Sequence, residues 1–182
     1  MTETTVVYKG QKLTVAAGIS LLELMPQLTL APQPIAAKIN NRLVSLHATI
    51  EEDCEIEFVG LDSGNGFRIY QNSLICLLGR AVSEYYPDAS LQASYSVSSG
   101  LYCEIFAPFL VTENDIEKLK KYMQNMIEAD EPFLCKEVSK EEAIHIFEEH
   151  GRQDKVDLYF FSEVETVSIY QYGTNYYDPF ST

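Results

Sequence analysis

The sequence predicts two α+β units in tandem, and three observations carry that expectation. Short β-rich runs alternate with capped helical segments over all 182 residues, a length that accommodates two small domains. A Gly/Asn/Ser/Asp stretch, Leu61-Asp62-Ser63-Gly64-Asn65-Gly66, separates two patterned regions and reads as a break. The composition changes across it: residues 1–66 hold four basic and eight acidic side chains, residues 67–182 hold nine and nineteen, and eleven of the twelve tyrosines fall in the second region.

In the first region, residues 5–8 and 12–15 are β-rich, and Lys9-Gly10-Gln11 joins them as a hairpin. Residues 20–25 form a short apolar helix that starts near Gly18 or Ser20 and is stopped by Pro26. Residues 36–39 and 42–44 flank Asn40-Asn41, a pair that tolerates the left-handed backbone of a tight hairpin. Residues 55–59 supply a last strand. The order ββαβββ with one helix is that of a β-grasp (ubiquitin-like) sheet.

The second region opens with a helix over residues 67–86, where Ile69, Ser73, Cys76, Leu77, Ala81 and Tyr85 recur at helical spacing and Pro87 marks the end. Strands are expected at 91–97 and 101–106 around Ser98-Ser99-Gly100. Thr112 with Asp115 starts a helix whose apolar face is Ile116, Leu119, Met123 and Ile127. Ser139 with Glu142 reads as a capping box for a helix that ends at Gly151. Residues 157–161 and 166–170 read as strands, and 175–178 as a short edge. The sum is an antiparallel sheet with helices packed on it.

Composition narrows the chemistry. The net charge of -14 opposes the clustered Lys and Arg on which binding to a nucleic-acid backbone relies, and it disfavours anionic membranes. The largest basic group, Lys118-Lys120-Lys121, shares its helix with Glu113, Asp115 and Glu117. Four cysteines without a CxxC pair, no basic-then-apolar leader and no run of about 20 apolar residues predict reduced thiols in a cytoplasmic protein. No GxxxxGK[ST], GxGxxG or GxSxG motif occurs, so no catalytic residue is assigned. His145 and His150 are five apart, the wrong spacing for one helix face, and with His47 they read as surface or cap residues. Tyr85, Tyr86, Tyr95, Tyr102, Tyr170, Tyr172, Tyr176 and Tyr177, without interleaved Lys and Arg, read as core and sheet-face packing rather than a base-stacking groove.

Two resemblances give these units names. The opening hairpin, AAKINNRLVSL over residues 36–46 and EEDCEIEFV over 51–59 make residues 1–62 similar to a TGS domain, the β-grasp module of threonyl-tRNA synthetases, certain GTPases and stringent-response synthetases. Residues 67–182 resemble the second additional domain of threonyl- and alanyl-tRNA synthetases, cut near its C-terminal boundary. That family carries HxxxH on its first helix, a Gly-aromatic-Tyr strand and a later "VD.C.GPH" pattern; together these form a site that holds zinc or orients a hydrolytic water. Here the histidine positions hold Asn72 and Cys76, Gly100-Leu101-Tyr102 keeps the second motif, and in the third only Asp178 fits, with Phe180 at the Cys position. An Asn amide is a poor zinc ligand and a lone Cys cannot hold the metal, so no metal site is expected. The resemblance leaves a vestigial ligand cleft of Asn72, Cys76, Tyr102 and Asp178, in which Cys76 reads as a small apolar residue on the inner face of its helix.

The same layout precedes a P-loop domain in a group of bacterial uridine (nucleoside) kinases, whose first helix lacks the histidine pair and is followed by a "GL[YF]C" strand. Ile69-Tyr70-Gln71-Asn72-Ser73-Leu74 and Gly100-Leu101-Tyr102-Cys103 look closer to that form. The expectation is therefore a non-catalytic ligand-sensing, regulatory or assembly region. Its main partner would be a C-terminal kinase domain that uses ATP and Mg to phosphorylate uridine or cytidine. A small-molecule ligand or self-association would be further partners. No cofactor is expected in the chain itself, nor binding to nucleic acid or a membrane. The alternatives are a threonyl-tRNA synthetase-like paralogue with a degenerate tRNA-binding or editing site, and a free-standing protein-interaction module.

Overall fold

The computed structural model describes residues 2–30, 33–97, 100–174 and 176–179, and the chain divides into two units at residues 70 and 71. In the first unit, β1 (Glu3–Tyr8) and β2 (Gln11–Ala16) form the expected hairpin, with Lys9 and Gly10 both at positive φ. A two-residue strand β3 (Ile19–Ser20) leads into α1 (Leu21–Leu24). Ser20 and Glu23 cap that helix reciprocally: the Ser20 hydroxyl accepts from Glu23 N–H, and the Glu23 carboxylate accepts from Ser20 N–H. Pro26 then confines the chain to one 3-10 turn, Met25–Gln27.

Strands β4 (Ala36–Ile39) and β5 (Arg42–Val44) turn at Asn40 and Asn41, whose φ values of 48° and 67° justify the asparagines. After β6 (Thr49–Ile50), β7 (Cys54–Val59) runs between β1, to which it is parallel, and β4, to which it is antiparallel. The sheet order β2-β1-β7-β4-β5 is the β-grasp order. The pairing of β3 with β6 is additional to the five strands expected, since two-residue strands carry no periodicity to detect. Val6, Leu21, Leu24, Ala37, Ile50 and Ile56 form the core of this unit, each wholly or almost wholly buried.

The stretch expected to be a break is instead where a helix begins. α2 runs Gly64–Tyr85, and the Ser63 hydroxyl accepts from Gly66 N–H while donating to the Gly60 carbonyl. The small polar residues that look like a linker are thus an N-cap and the glycines that follow it.

In the second unit, β8 (Ser90–Val97) and β9 (Gly100–Phe106) pair antiparallel with an irregularity between Ala93 and Tyr95; Ser98 and Ser99 lie outside the described residues. α3 (Glu113–Glu128) starts where the Asp115 carboxylate accepts from Thr112 N–H and Oγ1. Its buried residues are Leu119 and Met126; Ile116 and Ile127 are exposed, so the inner face is rotated from the expected stripe. The strand β10 (Phe133–Ser139), which the sequence reading left unassigned, is the first of a three-stranded sheet. Only Val138 of β10 is buried, and an exposed edge strand lacks the alternation that would reveal it.

α4 (Lys140–Glu149) has Ser139 as N-cap and Gly151 at φ +67° just past its end. Glu142 does not close the expected capping box but pairs with Lys136 at 2.8 Å. α5 (Gln153–Phe160) overturns the strand expected at 157–161. Its aromatic run favours β structure, but Val156 and Tyr159, one helical turn apart, pack on the same cluster as Phe147 of α4, and tertiary packing overrides propensity. β11 (Thr166–Tyr172) and β12 (Tyr176–Asp178) complete the antiparallel order β10-β11-β12; Asn175 lies outside the described residues. One face of this sheet covers α4 and α5 through Val138, Val167 and Ile169, while Tyr172 and Phe133 join Cys76, Leu77, Ala81 and Val82 of α2.

Candidate functional site

Asn72, Cys76, Arg80 and Glu84 recur every fourth residue along α2 and so form one row on that helix. Asn72 is half-buried and Cys76 wholly buried. Cys76 lies close enough to Asp178, Arg152 and Arg80 to feel all three charges. Burial first, and then the Asp178 carboxylate, push its thiol up to about 12. At neutral pH Cys76 is therefore a protonated, packed side chain rather than a thiolate nucleophile.

Asp178 ends β12 opposite Tyr170 and is almost wholly buried. Arg152, just before α5, holds it: Nη2 donates to the Asp178 carboxylate at 3.2 Å and Nη1 to the Tyr177 carbonyl at 2.9 Å. A polar group this deeply buried requires hydrogen-bond partners, and Arg152 is one.

Arg80 organises the other side. Its Nε donates to Glu84 at 2.8 Å and its Nη1 to Glu131 at 2.5 Å, while its guanidinium lies 4.6 Å from the centre of the Tyr172 ring. Burial works against the charge of Arg80, and the hydrogen bonds of Glu131 and Glu84 more than offset it, leaving its pKa above the ordinary arginine value. Gly173, at φ +70°, lies against the guanidinium: a β-carbon there would stand 2.4 Å from Arg80 Cζ. Tyr172 stacks on Phe133 at 4.3 Å.

The structure thus brings Cys76 and Asp178 together and surrounds them with Arg80 and Arg152, which the sequence reading did not select, and with Tyr172, which it read as packing. The four-residue spacing beyond Cys76 was the one signal for Arg80; Arg152 had none, because its partner is 26 residues away. Tyr102 does not join this group through any contact among the described residues. β9 alternates, and Cys103 and Ile105 face α2 and α3, so Tyr102 points to the opposite side. There it stacks on Tyr95 at 5.1 Å, with 42% and 59% of the two residues exposed. Core packing holds for Tyr172 and sheet-face packing for Tyr95 and Tyr102, whereas Tyr85 lies half-exposed on α2 against Tyr86 and Tyr122. Of the histidines, His47 and His145 are exposed, whereas His150 Nδ1 lies 2.8 Å from the Ile146 carbonyl at the end of α4.

Among the described residues no three His, Cys, Asp or Glu side chains converge as a metal would require, and no helix is long and apolar enough to cross a membrane. Phe180 and the two residues after it lie outside the described residues.

No family model matches the chain. Individual relatives do. It is 33% identical over 159 residues, 86% of its length, to a threonine–tRNA ligase of Symbiobacterium thermophilum. It is 33% identical over 146 residues to one of Syntrophotalea carbinolica, and 32% identical over 145 residues to threonine–tRNA ligase 1 of Bacillus subtilis. The chain is similar to part of a threonine–tRNA ligase. It spans about a quarter of the length of these ligases, 24%, 23% and 23% respectively. The similarity favours the synthetase-like alternative over the kinase-linked reading: these relatives are ligases, and the α+β fold with its β-grasp sheet agrees with a ligase-like pair of units. Against that background Asn72 and Cys76 are departures from the HxxxH expected by resemblance, and the residues around Cys76 form a packed ionic cluster.

Proposed function

We propose that the two units are a threonine–tRNA ligase-like pair that keeps the scaffold of an editing module without its hydrolytic site, and that the pair acts by binding, with tRNA as its ligand. The observation that carries this reading is Cys76. It stands where the resemblance expects a second histidine, yet it is wholly buried with its thiol protonated at neutral pH, beside an Asp178 already held by Arg152. Hydrolysis needs a positioned water and a base or metal, and a buried, protonated Cys76 is not that base. Similarity to ligases over 86% of the chain supports tRNA as the ligand class. The net charge of -14 predicts weak binding.

The test uses a tRNA(Thr) transcript in filter binding from low to physiological salt, and mischarged tRNA(Thr) in a deacylation assay with and without zinc. Saturable binding that weakens with salt, without zinc-dependent deacylation, is the expected result. Absence of binding at low salt defeats the tRNA reading, and zinc-stimulated deacylation defeats the loss of hydrolysis.

A second reading, the regulatory front end of a uridine kinase-like protein, is favoured by Ile69-Tyr70-Gln71-Asn72-Ser73-Leu74 and Gly100-Leu101-Tyr102-Cys103. Under it a C-terminal kinase domain, with ATP and Mg, performs the chemistry. Reading the gene beyond Thr182 separates the two: a GxxxxGK[ST] loop supports the kinase, and class II synthetase motifs support the ligase.

A further inference from the structure

α5 and the turn after it carry a concentration of exposed apolar surface that the tRNA reading does not use. Val156 and Tyr159 pack inward, whereas Leu158 is 56% exposed, Phe160 68%, Phe161 83% and Val164 45%. Scattered exposed apolar residues are ordinary, but here two bulky rings adjoin, with Leu158 three residues before Phe161 and Val164 three residues after it. The Phe160 and Phe161 rings meet edge to face at 5.1 Å.

The backbone beneath the patch is held in place. Ser162 N–H donates to the Tyr159 carbonyl, Lys140 Nζ donates to the Ser162 carbonyl at 3.2 Å, and Lys140 N–H donates to the Glu165 carbonyl at 3.0 Å. A fixed presentation lowers the ordering cost of binding.

The rim is acidic. Glu163 and Glu165 are exposed, with no ion pair among the described residues. Asp157 carries a hydrogen bond from Gln153 that leaves its charge unpaired. Of the neighbouring cations, Lys155 pairs with Asp154, while Lys140 donates to the neutral Ser162 carbonyl and keeps its charge, so among the described residues three carboxylates, Asp157, Glu163 and Glu165, stand against one unpaired cation. This charge selects the occupant. An anionic membrane is repelled by the rim, and a second copy of the chain would bring the same carboxylates and another net charge of -14. We infer that the Leu158–Phe160–Phe161–Val164 patch docks a basic amphipathic helix of a partner protein, its apolar stripe on the phenylalanines and its Lys or Arg flanks on Glu163 and Glu165.

The probe is a fluorescein-labelled Leu/Lys amphipathic peptide of about 18 residues, titrated by anisotropy with the full chain, alongside a matched Leu/Glu peptide. Binding of the Leu/Lys peptide should weaken at least about tenfold in the Phe160→Ser/Phe161→Ser double variant. It should weaken several-fold, with a shallower salt dependence, in Glu163→Lys/Glu165→Lys. Melting curves check that both variants keep the fold, which the exposure of all four residues favours. Unchanged affinity in both variants overturns the proposal, as does equal binding of the Leu/Glu peptide. Concentration-dependent dimerisation in sedimentation that Phe161→Ser abolishes also overturns it, since the occupant is then a second copy.

Discussion

Cys76 and Cys135 illustrate how far one side chain's chemistry depends on its neighbours. Both are free thiols; Cys76 is wholly buried with its pKa pushed up to about 12, while Cys135 is exposed on an edge strand. Thiolate fraction and access together set reactivity. Native protein treated with a chromogenic disulfide reagent at pH 8 should therefore be modified at Cys135 first, and Cys76 only after a denaturant is added. Peptide mapping by mass spectrometry checks the order, and early labelling of Cys76 would contradict its burial. The inner-face reading of Cys76 needed only helical periodicity, because apolar neighbours at 77 and 81 point the same way. Its ionic neighbours were not legible: Asp178 and Arg152 reach it through a sheet edge and a loop distant in sequence.

At the level of elements, local chemistry was legible wherever a cap, a turn residue or a regular stripe marked it. The Asn40-Asn41 turn, the Ser20 cap, the Ser139 cap and the Gly151 stop all stand where their residue types predict. Failures fall where a signal has two meanings. Ser63, Gly64 and Gly66 suit a linker and a helix start equally, and only the approach of the chain to the Gly60 carbonyl selects the helix. The two glycines differ in consequence. A β-carbon at Gly66 would stand 1.9 Å from the Gly60 carbonyl oxygen, whereas at Gly64 it would meet nothing within 4 Å. Gly66→Ala should cost about 1–3 kcal/mol, and Gly64→Ala should be neutral or stabilise by up to about 1 kcal/mol. Urea unfolding of the two variants beside the parent chain checks this, and equal effects would mean that the contact at Gly60 does not constrain α2. The same ambiguity misassigned α5, whose Leu158-Tyr159-Phe160-Phe161 run has strand propensity but places Val156 and Tyr159 on a helical inner face.

For the whole molecule, charge is the property that acts without a specific contact. With 27 acidic and 13 basic residues, self-repulsion at neutral pH favours solubility and opposes association with polyanions. As pH falls toward the sequence pI of about 4.5, carboxylates protonate and that repulsion vanishes. Solubility should pass through a minimum near pH 4.5, with the exposed phenylalanines of α5 promoting association there. Turbidity measured across pH for the parent chain and Phe160→Ser/Phe161→Ser checks both parts; a variant as turbid as the parent would separate the patch from the association. What the sequence by itself determined was local and additive: the charge, the caps, the tight turns, the strand order of the β-grasp unit, and the absence of the histidine pair from α2. Each depends on residues close together in the chain or on simple sums. What only the tertiary structure decided was long-range: that Asp178 and Arg152 close on Cys76, that Arg80 is held between Glu84, Glu131 and Tyr172, that Tyr102 turns away from them, and that α5 is a helix with its phenylalanines outside. Those outcomes depend on which distant side chains share one buried space, and no spacing along the chain encodes that.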